Sequence, residues 1–465
     1  MSPVWINLSY LVSAIFFILG LKGMTRPKTA VRGNLYGSLG MLIAVVTTLL
    51  AAEVVSFVWI IVGVLIGSGI GAYFAITIKM EKMPEMVALF NGFGGAASMF
   101  VAGGDFWLKL RDSTSGSSGL TNDIIISAAL AGIIGAVTLT GSLVAFGKLA
   151  ELNFVKKLKA LPGQQIINAV LAVLLLVLII VIVNNPASGW YWTIVVVSLI
   201  LGYMLTISIG GADMPVVIAL LNSYSGLAAA ATGFVIGNTI LIIAGSLVGA
   251  SGLILTKVMC DAMNRSLPAV LFGSLGPAAD GPSADEVYTN VKSTSADEVA
   301  MLLEVARKVV IVPGYGMAVA QAQHAVRDLT NLLREKGMEV TFGIHPVAGR
   351  MPGHMNVLLA EADIPYDLLK EMDETNSEIE QTDICLVIGA NDTVNPDART
   401  NPKSPIAGMP IINADKARTC IIIKRSLSPG FAGIPNPLFS ADNALMLFAD
   451  GKQAINDIIA AVKEG

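Results

Sequence analysis

The residues best suited to chemistry lie about two-thirds of the way along the chain, where a short apolar run ends in a glycine turn. Val309–Val312 is typical of a strand, and a helical pattern runs from Ala318 to Lys336. Between them, Gly314 suits a tight turn and Gly316 a close approach of the backbone to a phosphate, while the helix N-terminus offers unpaired N–H groups to the anion. Because Val319 stands where such fingerprints carry Gly or Ala, the run predicts a dinucleotide site but also fits a plain strand-to-helix turn.

Polar and glycine-containing loops follow two further predicted strands. Val347–Gly353 follows the predicted strand Glu339–Ile344 and includes Arg350, which suits a phosphate. Gly389–Asn395 follows the predicted strand Thr382–Gly389. Because open α/β sheets bind ligands at the carboxyl ends of their strands, these loops are predicted to converge on the glycine turn.

The side chains at two strand ends indicate which dinucleotide binds. NAD sites usually carry an acid after the second strand, but here that strand ends in Ile344-His345-Pro346. The predicted strand Ala417–Lys424 ends in Lys424-Arg425-Ser426, whose two cations and hydroxyl suit a 2′-phosphate. A solvated Lys–Arg pair is the alternative, yet with the missing acid the pattern favours NADP over NAD. The loop Ser428–Gly433 fits either a lid over the ligand or a simple connector.

Strands that alternate with helices predict a parallel, doubly wound, Rossmann-like sheet around these loops. Four strands are expected, and the run Val309–Val312 is the first of them. Helices are expected over Ala296–Lys308, in most of Met355–Met372 and within Asp442–Val462.

Composition divides the chain into two regimes. Of 465 residues, 54% are hydrophobic and only 14% charged, against about 25% charged in average chains. Charges are sparse over residues 1–265 and return to ordinary density from Asp280. We therefore predict a transmembrane domain at 1–265, a Gly/Pro-containing mobile linker at 266–295 and a soluble NADP(H)-binding domain at 296–465. The net charge of −4 gives no indication of nucleic-acid binding.

The first regime contains about nine apolar segments, each near the roughly 20 residues that cross a bilayer as a helix. They are Val4–Leu21, Asn34–Ala52, Val54–Ile78, Pro84–Ala102, Asp123–Gly147, Ile166–Val183, Trp190–Ile207, Met214–Phe234 and Thr239–Cys260.

Basic residues between the segments predict their orientation. Those after the first, third, fifth and ninth segments share one side, whereas only Lys109 and Arg111 lie on the other. The N-terminus is therefore expected outside and the soluble domain inside, in the cytoplasm.

Polar residues within the apolar segments are costly in lipid and are candidates for function. For Asn91 and Asn222 a water-lined pathway is the better interpretation, and helix-to-helix hydrogen bonding the alternative. For Thr138, Thr140 and Ser142 the two interpretations are evenly matched. None of the three histidines lies in this half, so histidine on this chain is not expected to carry protons across the membrane.

The three cysteines, Cys260, Cys385 and Cys420, are scattered and have no CxxC spacing. Neither a disulfide framework nor a metal site is predicted.

Six segments of the sequence, taken together, resemble those of one known protein family. They are Ile209–Val217, Asn222–Gly226, Pro313–Gln321, Phe342–Arg350, Gly389–Pro396 and Lys424–Ser426. They resemble the beta subunit of the proton-translocating NAD(P) transhydrogenases. The resemblance extends over essentially the whole chain, and such long motifs are not shared with dehydrogenases at large.

The resemblance implies hydride transfer between NADH and NADP⁺ coupled to proton movement across the membrane. This chain would supply most of the membrane domain and would bind NADP(H). An alpha subunit or subunits would bind NAD(H) and add further membrane helices, in a dimer of such heteromers surrounded by lipid.

The resemblance also implies roles for individual residues. Asp392 and the loop around Phe431 would sense the redox state of the nucleotide, and Asp213 would lie where the membrane domain meets the nucleotide domain. The expected contacts to NADP(H) are Gly314, Tyr315, Gly316, Val319, His345, Val347, Ala348, Gly349, Arg350, Met351, Pro352, Gly389, Ala390, Asn391, Asp392, Thr393, Lys424, Arg425, Ser426, Gly430, Phe431, Asp450 and Gly451.

The sequence departs from the family pattern at two positions. Asn91 stands where many members have a histidine associated with proton transfer, so the proton would pass on a partner subunit or through water organised by Asn91, Asn222 and threonines. Phe431 stands where a tyrosine is common. A secondary transporter or channel regulated by NADP is the rival reading of the same architecture.

Overall fold

Long apolar helices fill the first half of the chain. The structure is a computed structural model, and it describes residues 3–51, 57–114, 120–156, 158, 161–272, 288, 290–430 and 433–464. Within these ranges, nine helices are long and apolar enough to cross a membrane. They are α1 (Pro3–Met24), α2 (Pro27–Ala51), α3 (Val58–Thr77), α4 (Met83–Thr114), α5 (Asn122–Leu149), α6 (Gln164–Asn184), α7 (Ser188–Ile207), α8 (Met214–Ile236) and α9 (Thr239–Ala262).

Each predicted apolar segment corresponds to one of these helices. The largest difference is in α4, which continues past the predicted end at Ala102 to Thr114. The extension carries Asp105, Lys109 and Arg111, whose charges hid it from a search for apolar runs. Short helices outside this set span Asn153–Lys156 and Leu267–Phe272.

The chain forms two compact units. The first comprises Met1–Ser208 and Val217–Ile254, and the second comprises Ile209–Val216 and Leu255–Gly465.

Small residues let α4, α5 and α7 pack closely in the first unit. A Cβ added to Gly95 of α4 would lie 2.6 Å from the Gly135 carbonyl oxygen of α5. Tyr191 of α7 is 1% exposed, and its hydroxyl donates a hydrogen bond of 2.6 Å to the Met99 carbonyl. The core of this unit therefore depends on backbone-to-backbone contacts as well as on apolar side chains.

Polar side chains inside the first unit bind backbone carbonyls. The Asn91 Nδ2 donates to the Ile218 carbonyl of α8 at 3.3 Å, and the Thr140 hydroxyl donates to the Leu199 carbonyl of α7 at 2.8 Å. For Thr140, helix-to-helix hydrogen bonding is thus the correct interpretation. Asn222 lies on α8, one turn after Ile218.

A six-stranded sheet organises the second unit. All neighbouring strands are parallel. The strands are β1 (Lys308–Pro313), β2 (Glu339–Ile344), β3 (Leu369–Glu371), β4 (Ile384–Ile388), β5 (Thr419–Lys424) and β6 (Ala444–Phe448). The principal helices are α10 (Ala296–Val305), α11 (Tyr315–Val319), α12 (Gln323–Glu335), α13 (His354–Glu361), α14 (Met372–Glu378) and α15 (Gly451–Glu464), and a short helix spans Asp397–Thr400.

The strand order is β3-β2-β1-β4-β5-β6, so the chain reverses direction across the sheet between β1 and β4. The parallel sheet predicted from alternating strands and helices is confirmed, with its four predicted strands in place. Strands β3 and β6 were missed. β3 has only three residues. It lies within Met355–Met372, where mostly helix was predicted wrongly, because α13 ends at Glu361. β6 lies in a stretch where the helical pattern is the stronger signal.

The predicted helix from Ala318 to Lys336 is wrong in one respect. It is interrupted after Val319, and Gln321 adopts a left-handed conformation with φ of 50°. The chain then restarts as α12 at Gln323. No Gly or Pro marks this break, so the helical periodicity concealed it.

Most of the predicted linker, namely 273–287 and 289, lies outside the described residues. Its last part belongs to the sheet region, because the Thr294 N–H donates to the Met446 carbonyl at 2.9 Å. Ser295 then begins α10 with a capping box formed with Glu298.

The close packing of α4 and α5 makes a testable prediction. Gly95→Val places a side chain against the Gly135 backbone, so we expect it to destabilise the protein by about 1–3 kcal/mol. Gly104→Val on the same helix is the matched control, since a Cβ there meets no described atom within 4 Å. Thermal unfolding in detergent measures the difference, and equal midpoints for the two variants would contradict the packing argument.

Candidate functional site

Two glycine turns cross each other at the carboxyl ends of β1 and β4. The Gly314 N–H donates to the Ile388 carbonyl, and the Gly316 N–H donates to the Gly389 carbonyl, both at 2.9 Å. A Cβ on Gly314 would overlap the backbone of Gly389 and Ala390. At this glycine crossing (Gly314–Gly316 against Gly389–Ala390) there is no room for a Cβ on Gly314 or Gly316. The crossing borders the crevice where the strand order reverses.

The crossing modifies the expectation for anion binding by a helix terminus. The helix that starts at Tyr315 is only five residues long, so its dipole is small. The Gly316 N–H is already bonded to Gly389. The contribution of the motif is therefore mainly the close backbone approach that its glycines permit.

The loop after β2 forms a second wall. Val347, Ala348 and Gly349 line the crevice, and Gly349 has a φ of 108°, which favours glycine. The Arg350 guanidinium lies 4.2 Å from the centre of the Tyr315 ring, an arrangement that is favourable through cation–π attraction.

His345, a predicted contact, is 2% exposed and does not line the crevice. Its Nε2 lies 2.8 Å from the Pro410 carbonyl. Burial lowers the pKa of His345 to about 4, although the hydrogen bond to Pro410 acts in the opposite direction. His345 is therefore neutral at physiological pH and cannot attract a phosphate by charge.

The segment after β5 forms a third wall. The Lys424 ammonium donates to the Ser428 carbonyl and lies 5.4 Å from the Phe439 ring. Burial lowers the pKa of Lys424, and the negative charge of Asp392 raises it. A Cβ on Gly430 would lie 2.5 Å from the Asp392 Oδ1. The loop therefore packs directly on Asp392, and Phe431 lies outside the described residues.

An ion pair also borders the crevice. The Arg265 Nη1 lies 3.2 Å from the Asp213 Oδ2, and the Asp213 side chain is 1% exposed. Both residues belong to the second unit. Sequence analysis singled out Asp213 but not Arg265 as a site residue.

These walls enclose a cavity of about 780 Å³. Most predicted contacts line it, whereas Arg350, Met351 and Pro352 do not, and Asn91 and Asn222 belong to the first unit. The predicted residues that line it are Asp213, Gly314, Tyr315, Gly316, Val319, Val347, Ala348, Gly349, Gly389, Ala390, Asn391, Asp392, Thr393, Lys424, Arg425, Ser426, Gly430, Asp450 and Gly451.

Sequence analysis missed one wall altogether. Pro405, Ile406 and Met409 line the cavity from the segment between β4 and β5. The prolines and glycine around them indicate a loop, but nothing in the pattern places that loop at the strand ends. Met263, next to the end of α9, was also missed.

The residues present fit a phosphorylated dinucleotide. The cavity volume lies within the roughly 300–1,000 Å³ of small-molecule and cofactor sites. Gly314 and Gly316 provide a cradle that a Cβ would fill. Lys424 and Arg425 supply positive charge, and β2 ends without an acid. Two adjacent cations after β5 suit a phosphate better than a ribose hydroxyl.

The glycine crossing makes a second prediction. Gly314→Ala forces the two turns apart, so we expect the affinity for NADP⁺ to fall about tenfold or more. Gly104→Ala on α4 is the control, because Gly104 does not line the cavity and a Cβ there would meet no described atom within 4 Å. Equilibrium binding of NADP⁺ to the two proteins measures the effect, and equal affinities would show that the crossing does not set the site.

Comparison with known proteins agrees with this geometry. Residues 6–461 match the family model for the NAD(P) transhydrogenase beta subunit. The chain is 46% identical over 460 residues to the NAD(P) transhydrogenase subunit beta of Rhodospirillum rubrum, and the aligned region covers 98% of each chain. The same subunit from a named strain of that species matches equally well. From the cavity and from these matches together, the chain belongs to the NAD(P) transhydrogenase beta subunit family.

Proposed function

We propose that this chain is the NADP(H)-binding subunit of a proton-pumping transhydrogenase. Hydride would pass between NADH on a partner subunit and NADP⁺ held here, with linked movement of protons across the membrane. The observation that carries the proposal is the cavity at the glycine crossing, in a chain whose full length matches the beta subunit family.

The α/β part is proposed to be a Rossmann-like NADP(H)-binding domain over 296–465. Its strand order 3-2-1-4-5-6 is that of dinucleotide-binding folds. The glycine crossing lies at the switch point between β1 and β4, where such folds bind their ligands. We propose a membrane domain over 1–265 with about nine spans and a linker over 266–295, whose last residues, Thr294 and Ser295, already join the sheet and α10.

Preference for NADP(H) is assigned to the end of β5. Lys424, Arg425 and Ser426 line the cavity together, and Ser426 is held by a 2.8 Å hydrogen bond between its hydroxyl and that of Ser428. Charge-assisted hydrogen bonds from these side chains would favour a 2′-phosphate over a 2′-hydroxyl.

A partner must supply the second nucleotide. Among the described residues there is a single sheet with dinucleotide-binding topology, and hydride transfer needs two nicotinamides. The proposed partner is the alpha subunit, which would bind NAD(H) and add membrane helices, in a dimer of heteromers. The nicotinamide supplies the hydride chemistry, so the residues of this chain need only bind, orient and exclude water.

Coupling is assigned to residues that border the same cavity from different segments. Asp392 lies against Gly430 of the segment after β5, and the ion pair of Asp213 with Arg265 borders the cavity near the end of α9. NADP⁺ and NADPH differ in charge at the nicotinamide. Only a difference in their interactions with such groups can bias the membrane helices between two states.

In the membrane, we propose that the proton path runs through water organised by Asn91 and Asn222. The bond from Asn91 to the Ile218 carbonyl holds α4 against α8. Neither amide titrates near neutral pH, so these side chains would orient water rather than carry the proton. The proposed orientation has the N-terminus outside, with the NADP(H) domain in the cytoplasm.

Inverted vesicles that contain this chain and its partner test the proposal. We expect NADP⁺ reduction by NADH to produce a pH change that an uncoupler abolishes. Hydride transfer without a pH change would contradict the coupling. Ion flux that depends on NADP(H) without hydride transfer would favour a nucleotide-regulated transporter instead.

The proposed 2′-phosphate site predicts a selective loss. Arg425→Ala removes a charge-assisted bond worth about 1.5–3 kcal/mol, so the KM for NADP⁺ should rise about tenfold or more while that for NADH stays unchanged. Arg418→Ala is the control. Arg418 directly precedes the first residue of β5, does not line the cavity, and has a side chain that is 73% exposed. Steady-state kinetics that show a rise in both KM values would contradict the assignment.

A further inference from the structure

Two buried imidazoles mark the ends of the loop that forms the second wall of the cavity. We call residues 345–354 the 345–354 loop. His345 is 2% exposed and His354 is fully buried. Neither ring lines the cavity, although Val347, Ala348 and Gly349 between them do. Any effect of the two histidines on the cavity must therefore pass through this loop.

The hydrogen bonds of His345 determine its tautomer. Its Nδ1 accepts the Val347 N–H at 3.2 Å, so that nitrogen carries no proton. Its Nε2 lies 2.8 Å from the Pro410 carbonyl, which can only accept, so that nitrogen carries one. The ring is thus a neutral Nε2–H imidazole held by backbone on both sides.

His354 supports the same loop from its other end. Its Nδ1 accepts the Arg350 N–H at 3.2 Å, and a Cβ on Gly349 would lie 2.6 Å from the His354 Cβ. The backbone at Gly349 therefore rests directly on His354. The His354 ring also lies 6.3 Å from the Tyr315 ring of the glycine crossing.

Pro410 belongs to the wall that sequence analysis missed. Ile406 and Met409 of the same segment line the cavity, and the Ile412 N–H donates to the Thr393 carbonyl at 3.0 Å. The His345 ring consequently joins two cavity walls that arise from different strands.

We propose that His345 is a positioning residue for NADP(H) binding. Its neutral ring braces Val347–Gly349 against the Pro410 segment, and His354 supports the same backbone. The inference rests on the proposed function, because the ligand of this wall is taken to be NADP(H). The low pKa of the His345 ring agrees with the geometry, since a protonated ring would lose the bond from Val347.

Kinetics of the full chain with its partner test the inference. His345→Ala removes both bonds, so we expect the KM for NADP⁺ to rise more than about tenfold with kcat and the KM for NADH little changed. His345→Asn keeps an acceptor near Nδ1, and His345→Gln keeps a donor near Nε2. Each should raise the KM for NADP⁺ by a smaller factor than His345→Ala does.

His324→Asn is the matched control, because the His324 side chain is 50% exposed on α12 and lies away from the cavity. It should leave both KM values unchanged. A loss of kcat in His345→Ala at an unchanged KM for NADP⁺ would overturn the inference, as would a KM equal to that of His324→Asn. If His345→Ala is poorly folded, the comparison of His345→Asn and His345→Gln with His324→Asn decides instead.

A spectroscopic measurement reads the tautomer directly. The chain has three histidines, so ¹⁵N-histidine labelling of the full chain in lipid gives few signals, which the His345→Gln and His324→Asn spectra assign. We expect His345 to keep an unprotonated Nδ1 and a protonated Nε2 from pH 8 to pH 5. A protonated ring at pH 6, or the Nδ1–H tautomer, would overturn the inference.

Failure of the proposed function has a different signature. If the wild-type protein binds NADP⁺ but does not reduce it with NADH, the proposed catalysis fails. The dissociation constants for NADP⁺ of the His345 variants then test the positioning role, with the same expected order. If the wild-type protein does not bind NADP⁺, both fail together.

Discussion

The structure depends above all on one backbone contact, the glycine crossing at the ends of β1 and β4. Gly314 and Gly316 donate N–H groups across it to Ile388 and Gly389, at a separation that excludes a Cβ. This contact sets the spacing of the two strands where the sheet order reverses, and so creates the crevice that the other loops enclose. A side chain on Gly314 or Gly316 would separate the strand ends and disrupt the floor of the cavity.

The remaining walls are joined to one another by polar contacts. The Asn391 amide donates to the Ser428 carbonyl at 3.4 Å, and His345 contacts Pro410. Asp213 and Arg265 border the same space as an ion pair. Since the walls share these contacts, a ligand that displaces one of them alters the others. Such connections would serve the proposed coupling, because a ligand shifts an equilibrium only through contacts that differ between the two states.

The apolar half is held together by different contacts. Its helices approach closely through glycines such as Gly95 and Gly135, and polar side chains such as Asn91 and Thr140 bind the carbonyls of neighbouring helices. Satisfied in this way, a polar group can lie within an apolar bundle at modest cost. The Asn91 amide holds α4 against α8. In the proposed proton path the same amide would also orient water.

Local sequence signals were enough to predict the division into an apolar and a charged half and most of the residues around the cavity. They also predicted the nine long helices and four of the six strands that the described residues form. These features follow from local signals, namely apolar length, β-branched runs and glycines at strand ends. Strand β3 was not predicted because it is very short, and β6 was not predicted because a stronger helical pattern follows it. The break in the helix at Gln321 was not predicted because no Gly or Pro marks it.

Which distant residues come into contact is visible only in the folded structure. Pro405, Ile406 and Met409 line the cavity, and Arg265 pairs with Asp213. His345, which was expected to contact the ligand, is buried. The physical reason is that these contacts join segments far apart in the chain. Hydrophobic periodicity and turn residues carry information about neighbours in sequence. The cavity wall at Pro405–Met409, the Asp213–Arg265 ion pair and the burial of His345 depend instead on packing between distant segments.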